Sequence, residues 1–93
     1  MKTGVLDVRV AASPSSRAQV GVIVPKYRRT IVERNRLRRR LRELARVRLL
    51  PLLDATREAR GERAVLIRAL PAAYSASFDG LARDIDAVVA RLG

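Results

Sequence analysis

The chain has 93 residues, 48% of them hydrophobic, which predicts one small folded domain spanning residues 1–93 and excludes a basic disordered tail. It contains no cysteine and no histidine, which excludes disulfides, thiolate metal sites and catalysis by a histidine base. The net charge is +11, so we expect a polyanionic partner, and phosphate backbones are the usual polyanions.

Two short strands are predicted near the start of the chain. The residues from Leu6 to Val10 alternate between apolar and polar, which is the period-two pattern of a half-buried strand. A loop rich in serine separates this strand from a second apolar run, Gln19 to Val24. The short connection favours direct antiparallel pairing between the two strands.

The main helix is predicted to run from a cap at Thr30 to about Leu50, before Pro51. Thr30 and Glu33 have the capping-box spacing, with a hydroxyl at the N-cap and a carboxylate three residues later. Successive residues of a helix are rotated by about 100°, so this helix has a leucine face that packs on the sheet and a basic face that points outward. The leucine face consists of Leu37, Leu41 and Leu44, and the outward face of Asn35, Arg38, Arg39, Arg42 and Arg46.

The last third of the chain completes the predicted fold. Residues 52–61 are interpreted as a short helical extension or a linker, and Ala64 to Ala69 as a central strand covered on both faces or nearly so. Ser77 is predicted to cap a final helix, Phe78 to Leu92. The order β-β-α-β-α predicts an α+β fold, a two-layer sandwich of a small mixed sheet with a basic central helix.

Most of the positive charge lies in one segment. Between Lys26 and Arg48 there are eleven Lys or Arg and only two Glu, so this segment holds nine of the eleven net positive charges. Like charges four residues apart destabilise a helix by about 0.2–0.5 kcal/mol per pair, which a bound polyanion would offset. Tyr27, beside Lys26 and Arg28, is the aromatic residue best placed to stack on a base. The residues alone therefore predict a phosphate-binding protein with structured RNA as its target.

No catalytic or metal-binding set is predicted in the chain itself. Asp84 and Asp86 are about 200° apart around the final helix and do not converge, and Glu33 and Glu43 are interpreted as a cap and as charge relief. The sequence has no signal peptide and no apolar run of membrane-spanning length. We therefore expect a cytoplasmic protein without membrane contact.

The segment Arg34-Asn35-Arg36-Leu37-Arg38-Arg39, followed by Arg42, resembles the basic motif on the central helix of the bacterial ribonuclease P protein family. The run from Gln19 to Lys26 is similar to the strand that precedes this helix in the family. The later strand, its following proline and the closing helix come in the family's order. The resemblance covers the chain from about Leu6 to its end, and it implies the fold of that family, which is shared with the second domain of a ribosomal protein.

The resemblance also implies a function. The protein would be an RNA-binding accessory subunit of ribonuclease P, which helps a catalytic RNA with bound Mg²⁺ to remove the 5′ leader from precursor tRNA. It would hold no cofactor alone, would act as an endonuclease only within the ribonucleoprotein, and would bind the catalytic RNA as a monomer, one to one. The motif residues would contact the catalytic RNA or help to organise metal near it, and the sheet face would form a cleft for the leader. The candidate RNA-binding residues are Lys26, Tyr27, Arg28, Arg29, Arg34, Asn35, Arg36, Arg38, Arg39, Arg42 and Arg46.

The chain also departs from the family pattern. Family members begin with an additional basic segment and an aromatic-bearing helix that lines the leader cleft, whereas this sequence starts at the strand near Leu6. Tyr27 stands where a lysine is usual, and Pro25 where a serine is usual. Two alternatives stay open: a divergent paralogue that acts as a general structured-RNA-binding or ribosome-associated protein, and a DNA-binding module.

Overall fold

The computed structural model describes residues 1–93 and places helices against one face of a three-stranded sheet. The strands are β1 (Leu6–Ala12), β2 (Gln19–Ile23) and β3 (Arg63–Ala69), and the helices are α1 (Ile31–Leu44), α2 (Leu50–Ala55), α3 (Arg57–Arg60) and α4 (Phe78–Leu92). A π-helical segment, Ala45–Leu49, joins α1 to α2, and a 3-10 turn, Pro71–Ser75, precedes α4. The predicted α+β class is confirmed.

The strand order is β1-β3-β2, so that the last strand of the chain is the central one. β3 pairs antiparallel with β1 and parallel with β2. The predicted direct pairing of β1 with β2 is therefore wrong. Residues 13–18, which connect them, can span about 20 Å, whereas two strands that flank a third lie about 10 Å apart. The connection is thus long enough to pass the end of β3, where the Ser13 N–H donates a 2.9 Å hydrogen bond to the Glu62 carbonyl.

The central strand is covered on one face only. Val65 and Ile67 are buried in the core, whereas Leu66 and Arg68 alternate with them and are exposed. The prediction that this strand is covered on both faces or nearly so is therefore wrong. Its near-continuous apolar sequence leaves two apolar side chains, those of Ala64 and Leu66, on the open face of the sheet.

The main helix was predicted to end at about Leu50, before Pro51, but the helical path runs on past this proline. It continues through the π-helical segment into α2, with Pro51 in the first turn of α2. Proline lacks an N–H, and its ring clashes with the carbonyl four residues earlier in a regular α-helix. The wider π-turn resolves this locally, because the Leu50 N–H donates to the Ala45 carbonyl five residues back. The helical extension predicted after Pro51 is present as α2 and α3.

A single core of 18 buried hydrophobic residues joins the sheet to the helices. The predicted leucine face of α1, consisting of Leu37, Leu41 and Leu44, is buried in it. The final helix starts at its predicted cap, where the Gly80 N–H donates to the Ser77 hydroxyl at 3.0 Å. The basic central helix is thus held in place by its apolar face, and most of its other side chains are exposed.

Candidate nucleic-acid interface

A tight turn at residues 26–29 leads into α1. The Arg29 N–H donates a 2.7 Å hydrogen bond to the Lys26 carbonyl. Between them, Tyr27 and Arg28 have positive φ angles of 46° and 64°, as in a type I′ turn. Positive φ is unfavourable for residues that carry a Cβ, so contacts from neighbouring elements must hold this turn. Lys26 and Arg28, both predicted to bind RNA, are exposed on it.

Two tyrosines supply those contacts. The Tyr27 hydroxyl donates to the Ala69 carbonyl at 3.2 Å, and the Tyr74 hydroxyl donates to the Pro25 carbonyl at 2.7 Å. Their rings meet edge to face, with centroids 6.4 Å apart. Burial raises the pKa of the Tyr74 hydroxyl above its ordinary value of 10.0. Tyr27 therefore has a structural role that the sequence did not indicate, and its stacking on a base stays a prediction.

The capping box predicted at Thr30 is confirmed. The Glu33 N–H donates to the Thr30 hydroxyl at 3.1 Å, and the Thr30 N–H donates to the Glu33 carboxylate at 3.3 Å. Arg29 forms a 3.2 Å ion pair with the same carboxylate, and its guanidinium carbon lies 5.2 Å from the centroid of the Tyr74 ring. The Thr30 N–H and Arg29 together lower the pKa of the Glu33 carboxyl below its ordinary value of 4.5. Arg29, a predicted RNA-binding residue, is thus already engaged at the start of the helix.

The structure brings the predicted outward stripe together as one surface. This surface, which we call the arginine groove, is an open trough of about 440 Å³ with no hydrophobic residue in its lining, formed by Asn35, Arg38, Arg39, Arg42, Glu43 and Arg46. Its one carboxylate, on Glu43, pairs with Arg46 at 2.6 Å, and Arg46 lowers the pKa of the Glu43 carboxyl. Arg38, Arg39 and Arg42 have no ion-pair partner, so the groove carries uncompensated positive charge suited to phosphate.

Two other motif residues are not part of the lining of the groove. The Arg34 Nε donates a 2.8 Å hydrogen bond to the Val24 carbonyl, just beyond β2, so this arginine also ties α1 to the sheet. Arg36 borders the groove, because it shares a hollow with Asn35 and Arg39. On its other side it lies beside Arg40, a residue that was not predicted to bind RNA. The sequence signal for Arg40 was its spacing, because Arg36 and Arg40 are four residues apart and share one helix face.

The open face of the sheet is a second candidate surface. Ile23 and Leu66 are 44% and 38% exposed there, and together with Asp7, Arg9 and Arg68 they line a hollow of about 220 Å³. Apolar side chains flanked by arginines suit a single-stranded nucleic acid, whose bases and phosphates need both kinds of contact. Arg9 and Arg68 were not predicted as site residues, because strand arginines carry no distinguishing motif.

The carboxylates of the chain are dispersed. Asp84 accepts hydrogen bonds from the Thr3 hydroxyl at 2.9 Å and the Val5 N–H at 2.7 Å, whereas Asp86 pairs with Arg48 at 2.6 Å. No group of three or more acidic residues converges as a metal site. None of the helices combines the length and the apolar character that a membrane crossing requires.

Comparison with known proteins points to one family. The profile of the family described as Ribonuclease P matches residues 2–93. Three similar proteins, each called ribonuclease P protein component, come from Kocuria rhizophila, a Nocardioides species and Acidothermus cellulolyticus. They are 38%, 38% and 42% identical to this chain over 86, 84 and 74 residues, which is 92%, 90% and 80% of it.

The matched regions are only part of those relatives. The alignments cover 68%, 63% and 56% of their respective lengths, so the chain spans between about half and two thirds of each. No solved structure matches the chain. The family is therefore established by sequence similarity over nearly the whole of this chain.

Proposed function

The chain belongs to the ribonuclease P protein family, and on that basis we propose that it is an RNA-binding accessory subunit of ribonuclease P. Its partner is the catalytic RNA of that ribonucleoprotein, and the assembly removes the 5′ leader from precursor tRNA by endonucleolytic cleavage. The protein acts in the cytoplasm as a monomer, one copy for each catalytic RNA. Its task is to bind and position RNA.

The observation that carries this proposal is the arginine groove. Three guanidinium groups, on Arg38, Arg39 and Arg42, lack partners within the protein and lie along one exposed side of a helix that the core holds in place. Guanidinium groups bind phosphate oxygens through two parallel hydrogen bonds. A row of such groups on a helix that the core holds in place can bind several phosphates of a structured RNA.

Mg²⁺ in this proposal belongs to the catalytic RNA. The groove offers guanidinium groups, one amide and one carboxylate, and that carboxylate, on Glu43, is already paired with Arg46. A hard cation needs several oxygen ligands, so the lining does not fit a resident metal ion. The groove can act on the RNA only through its phosphates, by fixing the fold that the RNA adopts around its own metal ions.

The open sheet face supports the second half of the proposal, the contact with precursor tRNA. Ile23 and Leu66 provide an apolar floor, and Arg9 and Arg68 provide positive charge beside it. We assign the single-stranded 5′ leader to this face, because unpaired bases can lie on apolar side chains while phosphates meet arginine. Catalytic RNA and leader then occupy different surfaces of one small domain.

A reconstitution assay tests the proposal. The protein is added to a bacterial ribonuclease P RNA at low Mg²⁺ concentration, and 5′ cleavage of a precursor tRNA is followed and compared with that by the RNA alone. We expect stimulation by the protein and none by a variant with Arg38, Arg39 and Arg42 replaced by alanine. Tight binding to unrelated structured RNAs without stimulation would favour a general RNA-binding paralogue, and absence of RNA binding would overturn the proposal.

A further inference from the structure

Asp7 is the only acidic residue in the three strands, and it lies on the open face of the sheet. In the register of the sheet, Asp7 on β1 is opposite Arg68 on β3, and Ile23 on β2 is on the other side of Arg68. The next row on the same face contains Arg9 and Leu66, which are also paired. The hollow of about 220 Å³ between these rows is lined by Asp7, Arg9, Ile23, Leu66 and Arg68, and we call it the Asp7 hollow.

The fold does not account for a carboxylate at this position. Aspartate is disfavoured in strands, although an opposite charge on the paired strand can offset this. Arg68 is the paired residue, but Asp7 forms no ion pair with it or with any other residue, since all five ion pairs of the protein involve other carboxylates. The half-buried Asp7 carboxylate therefore faces the hollow with its hydrogen-bonding capacity unused.

The carboxylate decides which chemical group can occupy the hollow. It repels a phosphate placed beside it, and it accepts hydrogen bonds from N–H donors. The exposed side chains of Ile23 and Leu66 suit the flat face of a base. Because the two outer strands are about 10 Å apart, a base that rests on these two side chains can turn one edge towards Asp7 on β1. The hollow therefore suits a base that has donors on its edge.

Guanine is the RNA base that matches a carboxylate best. Its Watson–Crick edge carries two adjacent donors, N1–H and the N2 amino group, which pair with the two oxygens of a carboxylate. Adenine and cytosine each have one amino group next to an acceptor nitrogen, and the single N–H of uracil lies between two carbonyl oxygens. Those acceptors repel a carboxylate, so each of the other three bases forms a weaker contact with it.

We propose that the Asp7 hollow binds an unpaired guanine of the 5′ leader and that Asp7 determines this base preference. The carboxylate accepts hydrogen bonds from N1–H and the N2 amino group, while the ring lies on Ile23 and Leu66. This rests on the proposed function and deepens it, because it adds selectivity for one leader base to a surface that otherwise suits any single strand. Asp7 takes no part in the cleavage step itself.

The test is cleavage by the reconstituted ribonucleoprotein of precursor tRNAs whose uridine leaders carry one guanosine at successive positions. We expect guanosine at one position to raise kcat/KM about tenfold, as a bidentate base contact does, and the catalytic RNA alone to lack this preference. Asp7→Asn should abolish it, because the amide presents a donor in place of one acceptor oxygen. Asp79→Asn, at an exposed aspartate of α4 that forms no ion pair, is the matched control and should keep it. Thermal unfolding of both variants shows whether the fold is intact.

The base preference and the subunit role can fail separately. If the protein stimulates cleavage but Asp7→Asn alters the rates for all leaders equally, Asp7 affects only charge, the inference is overturned and the subunit role stands. If the protein does not stimulate cleavage, its binding to short uridine oligonucleotides with and without one guanosine tests the hollow directly. A guanosine preference that Asp7→Asn removes then keeps the guanine site while the subunit role falls, and absence of any preference overturns both.

Discussion

The Arg34 Nε donates a 2.8 Å hydrogen bond to the backbone carbonyl of Val24, which lies just beyond the end of β2. The first arginine of the basic motif is therefore also a structural residue that joins the RNA-binding helix to the sheet. Its two terminal nitrogens make no hydrogen bond within the protein, so they can bind phosphate. One side chain thus couples the position of α1 to the strand that precedes it.

Arg34→Ala should lower the stability of the domain as well as its affinity for RNA. Loss of a hydrogen bond from a charged group leaves the Val24 carbonyl without its partner, which costs about 1–2 kcal/mol. Urea unfolding measures this difference. Arg42→Ala is the matched control, because Arg42 lies in the same motif and has no partner in the protein; a comparable loss of stability in both variants would contradict the structural role of Arg34.

Replacing Arg38, Arg39 and Arg42 together with alanine should leave the fold intact and greatly weaken RNA binding. These side chains line the arginine groove and make no ion pair, and each lost phosphate contact reduces the slope of log K against log salt by about 0.7–0.9. Filter binding at several salt concentrations gives the slope. The control removes the same charge elsewhere, at Arg17, Arg83 and Arg91, which are all exposed. Equal effects of the two triple variants would mean that only net charge matters.

Leu41→Ala should have the reverse effect of the arginine variants. Leu41 is completely buried in the core beneath α1, so truncation leaves a cavity and costs about 2–5 kcal/mol of unfolding free energy. Urea unfolding measures the loss, and RNA binding at low temperature should remain for the folded fraction. Val32→Ala, on the same helix but 67% exposed, should change stability little; a large effect there would show that the faces of α1 are assigned wrongly.

Stability should fall in acid partly through Glu33. Its pKa is lowered in the folded state by the Thr30 N–H and Arg29, so its contribution is fully present above the unfolded-state pKa, near 4.5, and is lost as the pH falls through the folded-state value. Unfolding free energies measured from pH 7 down to pH 3 should therefore decline less steeply for Glu33→Gln. Glu58→Gln, at an exposed and unpaired residue of α3, should reproduce the pH profile of the unaltered protein.

Arg28→Gly should stabilise the domain while it weakens RNA binding. Arg28 has a φ of 64°, which glycine adopts without the Cβ clash, so we expect a gain of about 0.5–1 kcal/mol in unfolding free energy. Arg28→Ala removes the same charge but keeps a Cβ at this positive φ. The difference in thermal stability between the two variants therefore measures the conformational effect alone. If both variants have the same stability, the turn is not strained at this residue.

The sequence predicted the local features of the basic helix well, because they depend on residues close together in the chain. The capping box at Thr30 and the leucine face of α1 follow from spacings of three and four residues, and the structure shows both. The resemblance to the family rested mainly on the same segment, and comparison of the whole chain supports it.

Features that depend on distant residues were not predicted. β3 lies between β1 and β2 in the sheet, and contacts between distant parts of the chain decide which strands pair. The short loop after β1 favours pairing of β1 with β2, which is not the pairing in the structure. The engagement of Tyr27 by Ala69 and Tyr74 joins residues more than 40 positions apart, so no local pattern signals it. One local feature was missed as well: the helix passes Pro51 by means of a π-turn, which has no reliable sequence signature.

The central position of β3 has a consequence for how the protein is made. Every paired residue in the sheet lies 45 to 63 positions from its partner, and closing loops of this length is entropically costly and slow. β2 cannot complete its ladder until Arg68 has left the ribosome, and β1 cannot until Ala69 has. By then the whole of α1 has already been synthesised. The nascent chain therefore presents its basic segment to surrounding RNA before it has a sheet to hold that segment, and completion of the fold depends on the last third of the chain.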